Sequence, residues 1–255
     1  MDLELRGKVV WVTGGASGIG EAIVRRLAEE GAAAVIIDRD RERAEALVAQ
    51  VPGSEAVICD LTEEGELEGI AAELLRRHGR IDGVVNNAGV NDGAGLSQTV
   101  AEFRQSLERN LVPAFALVRL TADALRASGG AIVNIASKVA LTGQGGTSGY
   151  AASKGGLLAL TREWAIDLAP NGVRVNAVVP AEVWTPMYER WLATQPDPER
   201  KRGEIERRIP LGRRMTSCEE IAATAVFLLS ARSGHTTGQF VHVDGGYMHL
   251  DRAFT

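Results

Sequence analysis

Apolar residues recur along this chain in two alternating patterns. Short runs of Val, Ile and Ala, nearly continuous and each about as long as a strand, occupy 8–12, 33–37, 55–59, 82–86, 130–135, 173–178 and 239–243. Between them lie longer stretches where apolar residues return every three or four positions, at 18–30, 41–51, 63–78, 102–127, 149–168 and 217–230. The first pattern predicts strands covered on both faces; the second predicts amphipathic helices. Their alternation predicts an α/β fold: one domain over 1–255, built on a doubly wound parallel sheet of about seven strands with helices on both faces. The pattern lapses only over about 180–212, a stretch rich in Trp, Pro, Arg and Glu before the last helical segment. A polar, aromatic insertion after a strand is where such sheets bind ligands, so it is read as a substrate lid.

The first strand–helix junction carries chemistry. The run Val9-Val10-Trp11-Val12 leads into Thr13-Gly14-Gly15-Ala16-Ser17-Gly18-Ile19-Gly20 and then into helical periodicity. Gly14 can relax the turn, Gly18 lets a pyrophosphate approach the backbone, and Gly20 lets helix and strand pack closely. The helix start, through Ser17, Gly18 and Ile19, offers N–H groups to phosphates. This predicts a Rossmann-type dinucleotide site. The next strand ends in Asp38, eighteen residues after Gly20. A carboxylate there accepts from the ribose hydroxyls of NAD and repels the extra phosphate of NADP. Arg39 beside it could bind that phosphate. NAD is expected over NADP.

A second constellation lies in the middle of the chain. Tyr150 and Lys154 are four residues apart, hence on one helix face, and Ser137 precedes them from a strand end. A free phenol, with a pKa of about 10, is a poor base at neutral pH. A close ammonium favours the phenolate, and an oxidised nicotinamide would favour it further. Ser137 could hold the substrate oxygen from the other side.

Composition narrows the class. A formal charge of −5 with no long basic run argues against a nucleic-acid surface. Two cysteines, Cys59 and Cys218, are too few and too far apart for a disulfide framework or zinc site, so a reducing cytoplasm is expected and no metal. The chain enters its first strand almost at once, leaving no room for a signal peptide, and no apolar run reaches the roughly 18 residues a membrane helix needs.

Taken together, these motifs resemble the classical short-chain dehydrogenase/reductase family over essentially the whole chain. The matching elements are Thr13-Gly14-x-x-x-Gly18-x-Gly20, Asp60-Leu61, Asn86-Asn87-Ala88-Gly89, Asn110, Ser137, Tyr150-x-x-x-Lys154 and Pro180…Thr185. The resemblance implies that Asp60 holds the adenine amino group while the Leu61 backbone contacts the ring. It implies Asn87, Ala88 and Gly89 along the adenosine ribose and the middle of the cofactor, and Pro180, Val183 and Thr185 at the carboxamide. Lys154 would also bridge the nicotinamide ribose, and Asn110 would open its helix and hold a water in a proton relay. The resemblance also implies a homotetramer, through a four-helix interface of the segments at 102–127 and 149–168. One departure stands out: the family usually has Gly after the proline at 180, and this chain has Ala181-Glu182.

By this architecture Asn91, Asp92, Lys138, Gln144, Glu182, Trp184, Tyr188 and Trp191 should surround the reacting carbon. A steroid or acyl chain would leave such groups unpaired at roughly 1–3 kcal/mol each. A sugar offers hydroxyls to pair them and C–H faces to lie on aromatic rings. Segments 86–93, 136–144 and 180–186, with His235-Thr-Thr-Gly and the stretch 245–252, are similar to bacterial L-fucose dehydrogenases. That likeness implies NAD-dependent oxidation of an aldopyranose at its anomeric hydroxyl to the lactone. Hydroxysteroid or other secondary-alcohol oxidation, and 3-oxoacyl carrier-protein reduction, remain open because the same scaffold serves them. The tail 246–255, with Tyr247, Met248, Leu250 and Phe254, is expected to pack on a neighbouring subunit.

Overall fold

A computed structural model describes residues 1–250; Phe254 and the rest of 251–255 lie outside the described residues. Seven strands, β1 (Val9–Thr13), β2 (Ala33–Asp38), β3 (Glu55–Ile58), β4 (Gly83–Asn86), β5 (Ala131–Ile135), β6 (Arg174–Pro180) and β7 (Phe240–Val243), form one parallel sheet in the order β3-β2-β1-β4-β5-β6-β7. The chain winds outward from β1 to β3, then crosses back to lay β4 on the other side of β1. That reversal opens a crevice at the carboxyl ends of β1 and β4, the ligand position in sheets of this kind.

Side-chain alternation divides each apolar run between two cores. Val10, Val12, Ala34 and Ile36 point to one face with Ile23, Val24 and Leu27 of α1 (Gly18–Glu29). Val9, Trp11, Val35 and Ile37 point to the other. There they meet α3 (Glu64–His78) and, further along the sheet, the buried faces of α5 (Val112–Ser128) and α6 (Ser148–Leu168). Helix α2 (Arg41–Gln50) adds Ala44 and Leu47 to the first layer, and α9 (Cys218–Leu229) completes it.

The segment read as one helix over 102–127 is two, α4 (Val100–Asn110) and α5, with Leu111 out of helical conformation at φ −127°, ψ −52°. Pro113 causes the break. It lacks an N–H, and its ring clashes with the carbonyl four residues back. The amphipathic repeat runs straight through this point, which is why periodicity alone gave one helix.

The insertion after β6 holds two short helices, α7 (Pro186–Ala193) and α8 (Pro198–Glu206). Each starts with proline as its first residue, and Thr185 and Asp197 cap them by accepting from the N–H groups of Tyr188 and Arg200. Among the described residues no helix is long and apolar enough to cross a membrane.

Candidate active site

The glycine loop is tied to the end of β4 by hydrogen bonds. The Asn87 amide donates to the Thr13 and Gly14 carbonyls, each at 3.0 Å. The Thr13 hydroxyl accepts from the Asn87 and Ala88 N–H groups at 3.0 and 3.1 Å. Gly14 has φ +61°, and a Cβ there would lie 2.9 Å from the Ala88 backbone; at Gly20 it would lie 2.1 Å from the Gly14 carbonyl oxygen. No other residue fits either position. Ser17 precedes α1 without making a side-chain cap, leaving the first-turn N–H groups for a ligand. Asp38 sits beside this loop, its carboxylate accepting from Ala16 N–H and Asp40 N–H at 3.0 Å each.

Asp60 follows β3 and is fixed by Thr62, whose N–H and hydroxyl both donate to it. These bonds, helped by the charges of Arg39 and Arg109, hold its carboxyl below the usual carboxylate range. Leu61, Ala88 and Asn110 line one small cavity of about 10 Å³, the size of a single water. Beyond β6, Val183 bridges to Thr216, and Trp184 N–H donates to the Thr216 carbonyl. Thr185 and Pro186 come within 3.7 Å of where a Gly18 side chain would begin, so the first residues of the insertion lie against the glycine loop. A narrow side-chain-free cradle, open helix N–H groups and a carboxylate at the second strand end fit a nicotinamide dinucleotide.

Ser137 ends the β5 segment, and α6 brings Tyr150 and Lys154 opposite. The start of α6 is anchored by Gly149 N–H donating to the Ala94 carbonyl at 2.8 Å. Lys154 is 2 % exposed; its ammonium donates to the Ile135 carbonyl at 2.7 Å and lies 5.6 Å from the centre of the Tyr150 ring. Asn110 comes to the same place. Its amide donates to the Ser106 carbonyl and its oxygen accepts from Val90 N–H at 2.7 Å. A side chain at Gly89 would meet Asn110 at 3.0 Å and the Lys154 ammonium at 3.3 Å, so Gly89 is the gap through which the two approach.

The electrostatics differ from the expectation of a phenol already acidified by its lysine. Burial pushes Tyr150 up to about 12, against a smaller pull from the Ser137 hydroxyl. Burial also lowers Lys154 to about 8. Desolvation disfavours both charged forms and is the largest influence on each.

The residues expected around the reacting carbon separate into two groups. Lys138 and Glu182 are buried against each other as an ion pair, and the Tyr188 hydroxyl donates to the second Glu182 oxygen at 2.7 Å. Asn91 and Gln144 are exposed, and the Asp92 carboxylate accepts from the Ser106 hydroxyl at 2.9 Å. Trp184 packs under the Arg202 guanidinium of α8 at 4.5 Å, while the exposed Trp191 meets Tyr188 edge-on at 5.2 Å. Sequence reasoning missed a buried polar ladder behind the site. Asn86 donates to Asn134, and Asn134 donates to Thr161, each at 2.8 Å. The signal was present: Asn134 interrupts an otherwise apolar strand. Among the described residues no group of three or more His, Cys, Asp or Glu could hold a metal ion.

Residues 14–248 match the family described as Enoyl-(Acyl carrier protein) reductase. The L-fucose dehydrogenase of Bos taurus is 42 % identical over 248 residues, covering 96 % of this chain and 91 % of that protein. The crystal structure of Cj0485 dehydrogenase matches with a TM-score of 0.95 at 42 % identity, covering 99 % of this chain and 98 % of that one. The ligand-free aldohexose dehydrogenase of Thermoplasma acidophilum matches with a TM-score of 0.90 at 29 % identity, covering 98 % of each. Likeness of this extent, on a fold whose switch-point crevice holds a dinucleotide cradle, makes the chain a member of the short-chain dehydrogenase/reductase family, oxidoreductases that work with a nicotinamide cofactor.

Proposed function

We propose that this protein oxidises an aldopyranose, L-fucose or a sugar of matching configuration, at its anomeric hydroxyl to the lactone, with NAD as cofactor. The observation that carries the reading is the convergence of Tyr150, Lys154 and Asn110 about Gly89, at the mouth of the glycine-loop cradle. The names of the matched sugar dehydrogenases support the substrate class. Asp38 supports NAD, because a carboxylate beside the loop repels a phosphate on the adenosine ribose.

The bound nicotinamide supplies the hydride acceptor. Tyr150, as phenolate, takes the proton of the anomeric hydroxyl while Ser137 hydrogen-bonds the same oxygen. Lys154 favours that phenolate and helps hold the cofactor. Asn110, fixed at the opening between α4 and α5, orders the route by which the proton leaves. Gly14, Ser17, Gly18, Ile19 and Gly20 bind the phosphates, and Arg39 lies beside Asp38, where it could meet the extra ribose phosphate of NADP. Asp60 and Leu61 serve the adenine, Asn87, Ala88 and Gly89 the adenosine ribose and the middle of the cofactor, and Pro180, Val183 and Thr185 the carboxamide. Exposed Phe115 on α5 and Ile166 on α6 support self-association as a homotetramer, and two unpaired cysteines support a reducing cytoplasm.

Replacing Tyr150 by Phe is expected to lower turnover by roughly 10²–10⁴-fold while NADH binding, followed by fluorescence, stays near wild type. Retained turnover would refute the role. A panel of aldoses, hydroxysteroids and secondary alcohols, each with NAD and NADP, tests the substrate class. A response to steroids and not to aldoses discards the sugar reading.

A further inference from the structure

Lys138, Glu182, Tyr188 and Tyr247 reach one spot from four separate segments. Lys138 opens the 3₁₀ turn Lys138–Ala140 after β5, directly following Ser137. Glu182 lies two residues beyond β6, Tyr188 is on α7, and Tyr247 follows β7. The Lys138 ammonium contacts Glu182 Oε1 and sits 4.3 Å above the Tyr247 ring centre. The Tyr188 hydroxyl donates to Glu182 Oε2 at 2.7 Å. The Glu182 carbonyl accepts from Thr216 N–H at 2.9 Å, so backbone and carboxylate are both fixed.

Neither stability nor the hydride chemistry explains this cluster. Desolvating two ions offsets most of their attraction, and an apolar pair of similar volume would serve the packing as well. The carboxylate nevertheless retains capacity. Each oxygen accepts one bond from the protein and keeps a second acceptor direction, and the ammonium has three donors. The Glu182 side chain keeps 11 % of its surface open. A rigid carboxylate with two free acceptor directions, flanked by a tyrosine face, complements neighbouring hydroxyls on one side of a sugar ring.

We propose that Glu182, oriented by Lys138 and Tyr188, is the specificity-determining residue that accepts hydrogen bonds from sugar hydroxyls remote from the anomeric carbon. This rests on the sugar-dehydrogenase reading above. The pair's rigidity is the basis of discrimination. A sugar lacking the matching hydroxyl leaves a buried carboxylate without its bonds, and sites of that design reject such analogues strongly.

The test compares full-length wild type, Glu182→Gln and Tyr188→Phe with NAD, using the best aldose and its singly deoxygenated analogues. Wild type should prefer the parent sugar. Glu182→Gln should lower kcat/KM for it by about 10- to 100-fold, mainly through KM, and bring the parent and one deoxy analogue within about threefold of each other. Tyr188→Phe should shift the same ratio less. NADH affinity by fluorescence should stay unchanged in both, which separates lost recognition from a damaged fold. If Glu182→Gln fails to bind NADH, Tyr188→Phe decides alone. A folded variant that keeps wild-type discrimination overturns this inference and leaves sugar oxidation standing. A wild type that oxidises no aldose overturns both.

Discussion

Two lysines are buried at the carboxyl edge of the sheet, and the protein partners them differently. Lys138, 7 % exposed, faces the carboxylate of Glu182 and the ring of Tyr247. Lys154, 2 % exposed, has one hydrogen bond, to the Ile135 carbonyl, and no carboxylate within ion-pairing distance among the described residues. Burial disfavours an ammonium in either place. Burial and the nearby charge of Arg208 lower Lys138 to about 8, but there a carboxylate sits against the ammonium, and the two fix each other in place. At Lys154 no counter-charge is present among the described residues, and burial lowers the group to about 8 as well. An uncompensated cation is available to whatever negative charge next forms beside it, here the phenolate of Tyr150. Strong perturbation without a partner marks a reacting group, whereas perturbation with one marks a positioning group.

Replacing Lys154 by Met gives the largest separation between the two. Turnover should fall by about 10²–10³-fold, the loss expected when a charge-stabilising donor is removed. The folded protein should nevertheless gain stability. The shift from 10.5 to about 8 corresponds to a cost on the order of 3 kcal/mol for holding the ammonium at neutral pH. Losing the bond to Ile135 removes about 1 kcal/mol of that gain. A net gain on the order of 2 kcal/mol would raise the thermal midpoint by roughly 4–8 °C in a chain of this size. A variant that melts below wild type would contradict the claim that Lys154 is strained for function.

The same substitution at Lys138 should have the opposite sign. Lys138→Met leaves the Glu182 carboxylate buried without its cation, and breaking one side of such a pair costs about 3 kcal/mol, less for the part still open to water. The midpoint should drop. Adding Glu182→Met and Tyr188→Phe should restore it to within about 1 kcal/mol of wild type, because the ion pair itself contributes little net stability. Failure of the triple variant to recover, with circular dichroism showing intact helices, would make the pair a structural requirement and dissolve the contrast.

Local patterns carried most of the fold and half of the site. The glycine loop, Asp38 and the Tyr150–Lys154 spacing are readable because each depends on residues close in sequence or on one helical turn. Strand positions were equally legible, since β-branched runs buried on both faces admit few other structures. The helix break at Leu111 was signalled by Pro113 and hidden by an unbroken amphipathic repeat. The two helices of the insertion after β6 were signalled by Thr185-Pro186 and Asp197-Pro198, cap and first-turn proline together. What no local pattern holds is a pairing such as Lys138 with Glu182, 44 positions apart, which only the adjacency of β5 and β6 creates. The direction of the Tyr150 shift was illegible for the same reason: desolvation depends on walls from several elements, and spacing records only the lysine.

The smallest effect is the most specific to Lys154, because it follows one proton. Below about pH 8 the lysine is charged in both folded and unfolded chains, and the folded state bears the full cost of burial. Between about 8 and 10.5 the folded state releases its proton first, so the unfolded state binds more protons and stability rises with pH. Tyr150, raised to about 12, stays protonated in the folded state of both proteins through this window, its ionisation in their unfolded states is the same, and it cancels from their difference. The advantage of Lys154→Met over wild type should therefore be greatest near neutrality. It should shrink by up to about 1.4 kcal/mol per pH unit once the pH passes about 8. Thermal midpoints of both proteins, measured without cofactor at about pH 7, 8.5 and 9.5, give that difference directly. A gap that stays constant across the series would mean that Lys154 is already neutral when folded, or is compensated by a charge, and its contrast with Lys138 would then have no electrostatic basis.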